Sequence, residues 1–569
     1  MKHMKKLCAL GLVFVLAAGL CACSSKSSSQ TNDADDEGAE EEIPVKIQTM
    51  VSNAVITLDA QAATDETSME MIANFTDGLK QQADDGTIVN ALCTDESLSK
   101  DKRVYTFTLR EDAVWSNGDP VTAYDFVYGW QRAVDPNNEN PNGYLLSDVA
   151  QIENASDILS GKKDVSSLGV KAIDDYTLEV TLNCPVNNFD ELLCLPVFYP
   201  ANQSYIESCG EDYATDADHI LSNGAFLLTD YESSDTWIQF EKNEDYYDAS
   251  SISVNELNYK IVQDSQTAIL DMEDENLDVI NISGDLAGED MEETSYESVS
   301  TGCEWYLIPN TEDYKVLANK NLRKALTYAI DRDHLTNDVL ADGCVASYAI
   351  VPTGISINPS DKSDFTSADT YSNEIGYDVK TAQKYLGKAK KQLKQTSFQL
   401  ELLIDDDETS LAVGNAIKSQ IEQNLEGVTI TLRVEPKAQR LADEQSGNYC
   451  LSLTSLGGTY ADASAYLEAF ATASDNTWHT YVWTNSKYTN LVLSTLNGSV
   501  TSAKKRYSTL KKAESILMKQ AAVIPLYEES NMIYTKDSVS GVVYHDTGIT
   551  RSFKHATKDM TSEEDSDNE

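Results

Sequence analysis

The chain has 569 residues, 93 of them acidic and 43 basic, and the resulting net charge of −50 repels phosphate backbones and anionic headgroups, which excludes nucleic acid as a partner. With 41% apolar residues, and a length of roughly three or four domain-sized units, it can bury large cores and reads as a multi-domain globular protein. The six histidines, His3, His219, His334, His479, His545 and His555, never stand at a metal-ligand spacing, and neither a phosphate-cradling glycine loop nor a GxSxG elbow is present, so no metal and no cofactor are expected.

In chain order, Lys2, Lys5 and Lys6 precede an apolar run over residues 7–22 that ends in small residues and a cysteine, the pattern of a signal peptide. The run is shorter than the roughly 18 to 20 residues of a permanent spanning helix. Leu20-Cys21-Ala22-Cys23 followed by Ser24 resembles the lipobox of bacterial lipoproteins, which implies that Cys23 is acylated and begins the mature chain. The departure is Cys21, where the lipobox usually has Ser, Ala, Thr or Val. Residues 24–42 hold almost nothing apolar and read as a solvated tether, and residues 558–569 as a frayed acidic tail. Besides Cys23, seven thiols remain after the leader, an odd number that reads as mostly buried free cysteine, with one bridge left open.

Tyr105, Phe107 and Leu109 share one face of an extended run ending at Arg110, and Leu178, Val180 and Leu182 do the same after the Asp174-Asp175 turn. Leu322, Ala325, Leu326, Ala329 and Ile330 stand at helical core spacing, and Asp331 is placed to cap the next helix, which ends near Gly343. Asp378 caps a helix whose apolar stripe is Val379, Ala382, Tyr385, Leu386, Ala389 and Leu393; six lysines from Lys380 to Lys394 cover the rest as a solvated face. Residues 398–404 predict a buried strand, and 411–425 a helix with Ala412, Ala416, Ile417, Ile421 and Leu425 inward. Val428, Ile430, Leu432 and Val434 predict a second strand, completing a βαβ unit.

The stretch from Tyr105-Thr106-Phe107 through Val114-Trp115-Ser116-Asn117-Gly118-Asp119-Pro120 to Asp125-Phe126-Val127 resembles the signature of the oligopeptide-binding branch of solute-binding protein family 5, which serves bacterial ABC importers. Further matches follow in order: Gly161-Lys162-Lys163, Leu168-Gly169-Val170-Lys171-Ala172, Ser222-Asn223-Gly224-Ala225-Phe226, and Asn321-Leu322-Arg323-Lys324-Ala325-Leu326 with Ala329-Ile330-Asp331-Arg332. The signature itself reads as punctuation: Gly118 supplies a positive φ, Pro120 fixes the exit, and Trp115 packs under the turn.

The resemblance implies an α/β chain with a periplasmic-binding-protein-like type II fold: two α/β lobes with a hinge and cleft, plus an extra α/β lobe. The expected boundaries are 1–22 for the signal peptide, 23–43 for anchor and linker, and 44–76, 222–302 and 529–557 for the first lobe. The extra lobe would be 77–221 and the second jaw 303–528. Hinges are expected near Gly302-Cys303 and Tyr527-Glu528. It further implies a non-enzymatic, monomeric lipoprotein on the outer side of the cell membrane that captures oligopeptides and passes them to an ABC permease and ATPase. Its contact with the membrane would be through the lipid anchor alone. A receptor of the same fold, reading a modified peptide or another solute for signalling, stays open.

The segments that match the family's cleft are Glu304-Trp305-Tyr306 and Leu456-Gly457-Gly458-Thr459-Tyr460-Ala461-Asp462, with Tyr144 where the family has a ligand-facing tyrosine. Thr459 replaces the aspartate that in the family pairs with a peptide's α-ammonium. Leu456 replaces a usual tryptophan, and Lys437 stands where some relatives place another aromatic. Asp462, Glu304 and Asp65 are the other carboxylates that could take over the amine.

Overall fold

The computed structural model describes residues 44–560 apart from 233, 283–285, 288–293, 368–369 and 472–482; the leader, Cys23, the tether and residues 561–569 lie outside the described residues. Tyr105, Phe107 and Leu109 lie on one buried face of the strand Val104–Leu109, as their period of two predicts. That strand pairs with Cys93–Leu98 and Thr177–Thr181, and Val170–Asp174 completes an antiparallel four-stranded sheet. In the signature turn, Gly118 takes φ +87° and the Trp115 amide donates to the Asp119 carbonyl at 2.8 Å. Asp125 then accepts from the Thr122 amide at 2.7 Å and starts the helix Ala123–Val134. Trp115 is buried in the core that this segment of the chain builds, so it packs under the turn as its place in the motif predicts.

The predicted βαβ unit is present: Phe398–Asp405 and Val428–Glu435 pair in parallel, joined by the helix Glu408–Asn424. Two details differ from expectation. The helix starts earlier because the Asp407 carboxylate accepts from the Ser410 amide, and in that phase Val413, Ile417 and Ile421 face the core while Ala412 faces solvent. Val434 is exposed, because its strand is the outermost of the sheet. The helix Lys320–Ala329 is capped by Asn319, and Asp331 accepts from the His334 amide to begin the next turn, as predicted.

These strands belong to one eleven-stranded sheet. Its order runs Val428–Glu435, Phe398–Asp405, Leu451–Gly457, Thr294–Pro309, Ile524–Lys536, Val279–Ile282, Lys46–Val51, Glu256–Ile261, Trp237–Lys242, Phe226–Asp230, and the short Val345–Ala346 pairs with Ile524–Lys536. Along Thr294–Pro309 successive side chains enter different cores. Trp305 and Leu307 pack with Leu322 and Ile417, whereas Tyr306 and Ile308 pack with Tyr466 and Leu517. At the other end of the sheet Ile47, Phe75, Phe226, Leu257, Ile533 and Phe553 share a core drawn from the beginning, middle and end of the described chain. All seven described cysteines are free thiols.

Candidate functional site

The long strands Thr294–Pro309 and Ile524–Lys536 are paired antiparallel from one half of the great sheet into the other. Their register breaks in the middle: Ser300 faces Ser530 and Glu304 faces Glu528, so four residues advance on one strand for two on its partner. Gly302 sits in this bulge at φ +66°, and a Cβ there would lie 1.9 Å from the Asp546 carbonyl oxygen. Its own carbonyl accepts from the Tyr466 hydroxyl at 2.5 Å. Gly302 is one of the positions named from the sequence as an expected hinge.

Beside this ribbon lies a cleft of about 1090 Å³. One wall comes from Asp77, the 544–549 loop and Lys554; a second from the turn around Gly86 and from Asn187, Asp190, Glu191 and Leu195; a third from the loop around Gly354, residues 460–462 and the helix Ala503–Gln520. Of the residues expected to meet a solute, Tyr460 and Asp462 line this cleft directly. Gly457 is exposed and Gly458 and Thr459 are half-buried on the segment leading to it. Both glycines are required: a Cβ would stand 2.9 Å from Cys303 Sγ at the first and 2.6 Å from the Tyr466 ring at the second. Thr459 lies near Tyr144, whose hydroxyl burial pushes above its usual range.

The other expected contacts do not line this cleft, and Glu304 and Tyr306 lie inside the fold. Glu304 is fully buried, neither of its oxygens in good hydrogen-bond geometry, and burial together with neighbouring Glu528 pushes it well above the usual carboxyl range. Tyr306 is fully buried edge-on to Phe470, and Trp305 is stacked on Tyr527 with its Nε1 donating to Glu529 Oε1 at 3.2 Å. Leu456 packs against the same core as Tyr306. The alternation of a strand put every second residue of Glu304-Trp305-Tyr306 inside, and the resemblance did not distinguish wall from filling.

Seven carboxylates line the cleft against three permanent cations, Lys362, Arg506 and Lys554. Lys554 is held between Asp77, at 3.3 Å, and Gln81 Oε1, at 2.7 Å, and Asp77 also accepts from the Tyr246 and Tyr247 hydroxyls. Arg506 donates to both oxygens of Asp462 at 2.5 and 2.8 Å, and to Ser464 Oγ at 2.9 Å. Burial raises Asp462, but Arg506 outweighs it and holds this carboxyl below its ordinary range. Glu191 has no such partner in contact: burial, with Asp190 and Asp462 nearby, pushes it up to about 7. His545 is held down by burial, so it is neutral at pH 7. Among the described residues no cluster suits a metal ion, and no helix is long and apolar enough to cross a membrane.

The family model described as bacterial extracellular solute-binding proteins, family 5 Middle, matches residues 87–478. The chain belongs to this family of solute-binding proteins. A dipeptide-binding protein of Lactococcus lactis subsp. cremoris is 30% identical over 574 residues, covering 97% of this chain and 100% of the relative. The OppA protein of Listeria monocytogenes, solved bound to peptide, is 33% identical with a TM-score of 0.75, covering 90% of this chain and 99% of that one. The pheromone receptor PrgZ, solved to show its mode of peptide binding, is 31% identical with a TM-score of 0.76, covering 91% and 100%. The fold is thus the α/β, type II periplasmic-binding-protein-like one that the signature implied, in a family of binders rather than enzymes.

For this solute-binding chain, sequence reasoning missed Arg506, Glu191 and the 544–549 loop. Arg506 carried a readable signal, since it occupies the first position of the buried stripe Arg506, Thr509, Leu510, Ala513, Leu517 of its helix, where a cation needs a buried partner. Glu191 and the loop had none, because only tertiary assembly brings them to the cleft.

Proposed function

We propose that the chain is a lipid-anchored, extracytoplasmic substrate-binding protein that captures oligopeptides in the cleft between its lobes and delivers them to an ABC importer permease. The observation that carries this reading is the 1090 Å³ cleft with Tyr460 and Asp462 on its wall, beside a two-strand ribbon bulged at Gly302. A bulge in two strands that run between the halves of the great sheet is where φ/ψ change would be absorbed on closing. The lobe boundaries drawn from the sequence place the first lobe and the second jaw on either side of it. An extended peptide there would gain main-chain bonds from the exposed strand end at Gly457, while its side chains occupied wet pockets.

Mass spectrometry of whatever is released on denaturing the purified protein tests this directly, with calorimetry against the recovered species. Peptides of mixed sequence are expected, and about 2.7 kcal/mol of added stability at one hundred times the dissociation constant. Recovery of a chemically altered ligand, with turnover scaling with protein, would sink the proposal. For the anchor, Cys23→Ala is expected to release the protein from the membrane fraction; retention would point to an uncleaved helix.

One observation favours the second reading, a receptor for a modified or non-peptide solute. Thr459 carries a hydroxyl where the resemblance implies a free carboxylate, and Asp462 is already spent on Arg506. A permease and ATPase encoded beside the gene would favour import, and an isolated gene beside a kinase would favour signalling.

A further inference from the structure

The chain carries −50 overall, yet the helix Val379–Leu393 has five lysines and no acid, and the helix Lys320–Ala329 packed beside it has two more lysines and no acid. The two helices are stitched together. Lys324 and Lys388 both stand over the Tyr385 ring, 5.3 and 4.6 Å from its centre, Tyr328 stacks on that ring at 5.7 Å, and the Asn319 and Asn321 amides both donate to Gln392 Oε1 at 2.9 Å. Lys380, Lys384, Lys388 and Lys391 follow one stripe of their helix and are exposed. None of these four, nor Lys320 or Lys324, forms an ion pair among the described residues. Asp378, at the start of the Val379–Leu393 helix, accepts from the Thr381 amide and hydroxyl, and Glu374 pairs with Lys519.

Helix stability does not call for this pattern. Lysines in the last turn suit a helix dipole, but Lys320 is the first residue of its helix and Lys380 the second of its own, at the positive ends. Lys320 is held below the ordinary lysine range by desolvation and by Lys324 and Arg323 beside it, so the cluster is mutually repulsive. A charge concentration that costs the free protein is explained by an anionic partner.

We propose that this lysine face rests on an anionic bilayer surface and orients the tethered body. The tether argues for that occupant. About twenty residues separate Cys23 from the first strand, a reach of at most about 70 Å. Headgroups are therefore always within reach, and the acidic tether cannot itself bind them. The repulsive net charge is screened beyond about 8 Å at physiological ionic strength, so a facing surface feels the local patch. The geometry of this inference rests on the anchoring reading; the binding itself does not.

The test uses the mature chain carrying Cys23→Ala, floated with vesicles of phosphatidylglycerol and phosphatidylcholine or of phosphatidylcholine alone. Binding is expected only with phosphatidylglycerol, weakened about tenfold or more in ~0.5 M salt and to a similar degree by the combined Lys380→Glu, Lys384→Glu, Lys388→Glu and Lys391→Glu substitutions. These side chains are exposed, and an unchanged circular dichroism spectrum and melting temperature confirm the variant's fold. Absence of a phosphatidylglycerol preference overturns the proposal, as does binding that survives the four substitutions. So does binding to detergent-purified permease, lost in the variant, with none to vesicles. Membrane release of the lipidated wild type would sink the anchor reading and leave the vesicle result standing.

Discussion

Arg506 grips both carboxylate oxygens of Asp462, at 2.5 and 2.8 Å, with both residues buried in the cleft wall. Such a carboxylate is not free to receive a ligand's ammonium. Asp462→Asn is therefore expected to cost about 3–5 kcal/mol of stability, because it strands a buried guanidinium, and to weaken free and N-acetylated peptides alike. Denaturant unfolding and calorimetry check this. A stable variant that lost only its preference for the free amine would show that Asp462 had taken over amine recognition. Since Arg506 holds the Asp462 carboxyl below its ordinary value, the stabilisation is present above that value, 3.8, and is lost as pH falls through the depressed one.

Thr459 offers a half-buried hydroxyl, near Tyr144, where a carboxylate would meet an amine. Of the other acids named from the sequence, Asp65 lies outside the cleft lining, with one oxygen accepting from the Ser68 amide at 2.9 Å to cap a helix, and Glu304 is buried. The wild type should discriminate little between a peptide and its N-acetylated form. Thr459→Asp should create a preference for the free amine of about tenfold to a hundredfold, read by calorimetry with matched peptides. Strong preference in the wild type refutes this.

Glu191 is pushed by burial up to about 7 from 4.5. A carboxyl raised in the folded state adds stability that is complete below the unfolded value and is lost as pH rises through the folded one. Glu191→Gln should match the wild type near pH 5 and exceed it by about 1–3 kcal/mol near pH 8. Urea melts at the two pH values decide; a difference independent of pH speaks against an uncompensated carboxylate.

At Gly302 a side chain meets both a positive φ and the Asp546 carbonyl at 1.9 Å. Gly302→Ala should lose roughly 2–4 kcal/mol and widen the cleft, seen in denaturant curves and small-angle scattering. Wild-type values for both would mean the bulge yields without consequence.

Local pattern carried much of the fold. The βαβ unit followed from Phe398, Ile417 and Ile430 because period and caps are properties of short stretches, and the 105–127 signature pointed to the family because it is long and contiguous, with Gly118 at φ +87° in its turn. Phase was harder to read: Ala412 turned outward once Asp407 set the helix start a few residues early. The cleft was legible only where one segment supplied it, as at 456–462. Glu304 and Tyr306 went inside by strand alternation, and Glu191 and Thr547 reached the wall through contacts hundreds of residues apart.

The paired strands Thr294–Pro309 and Ile524–Lys536 also bear on how the chain can be taken apart. Each contributes to both halves of one hydrogen-bonded sheet, and the core around Ile47 and Phe226 includes Phe553 from beyond the second of these strands. A fragment cut at either crossing would carry an unpaired, largely apolar strand edge and an unfilled core. The halves should therefore melt in a single transition, and a truncated gene product should aggregate rather than survive as a free-standing domain.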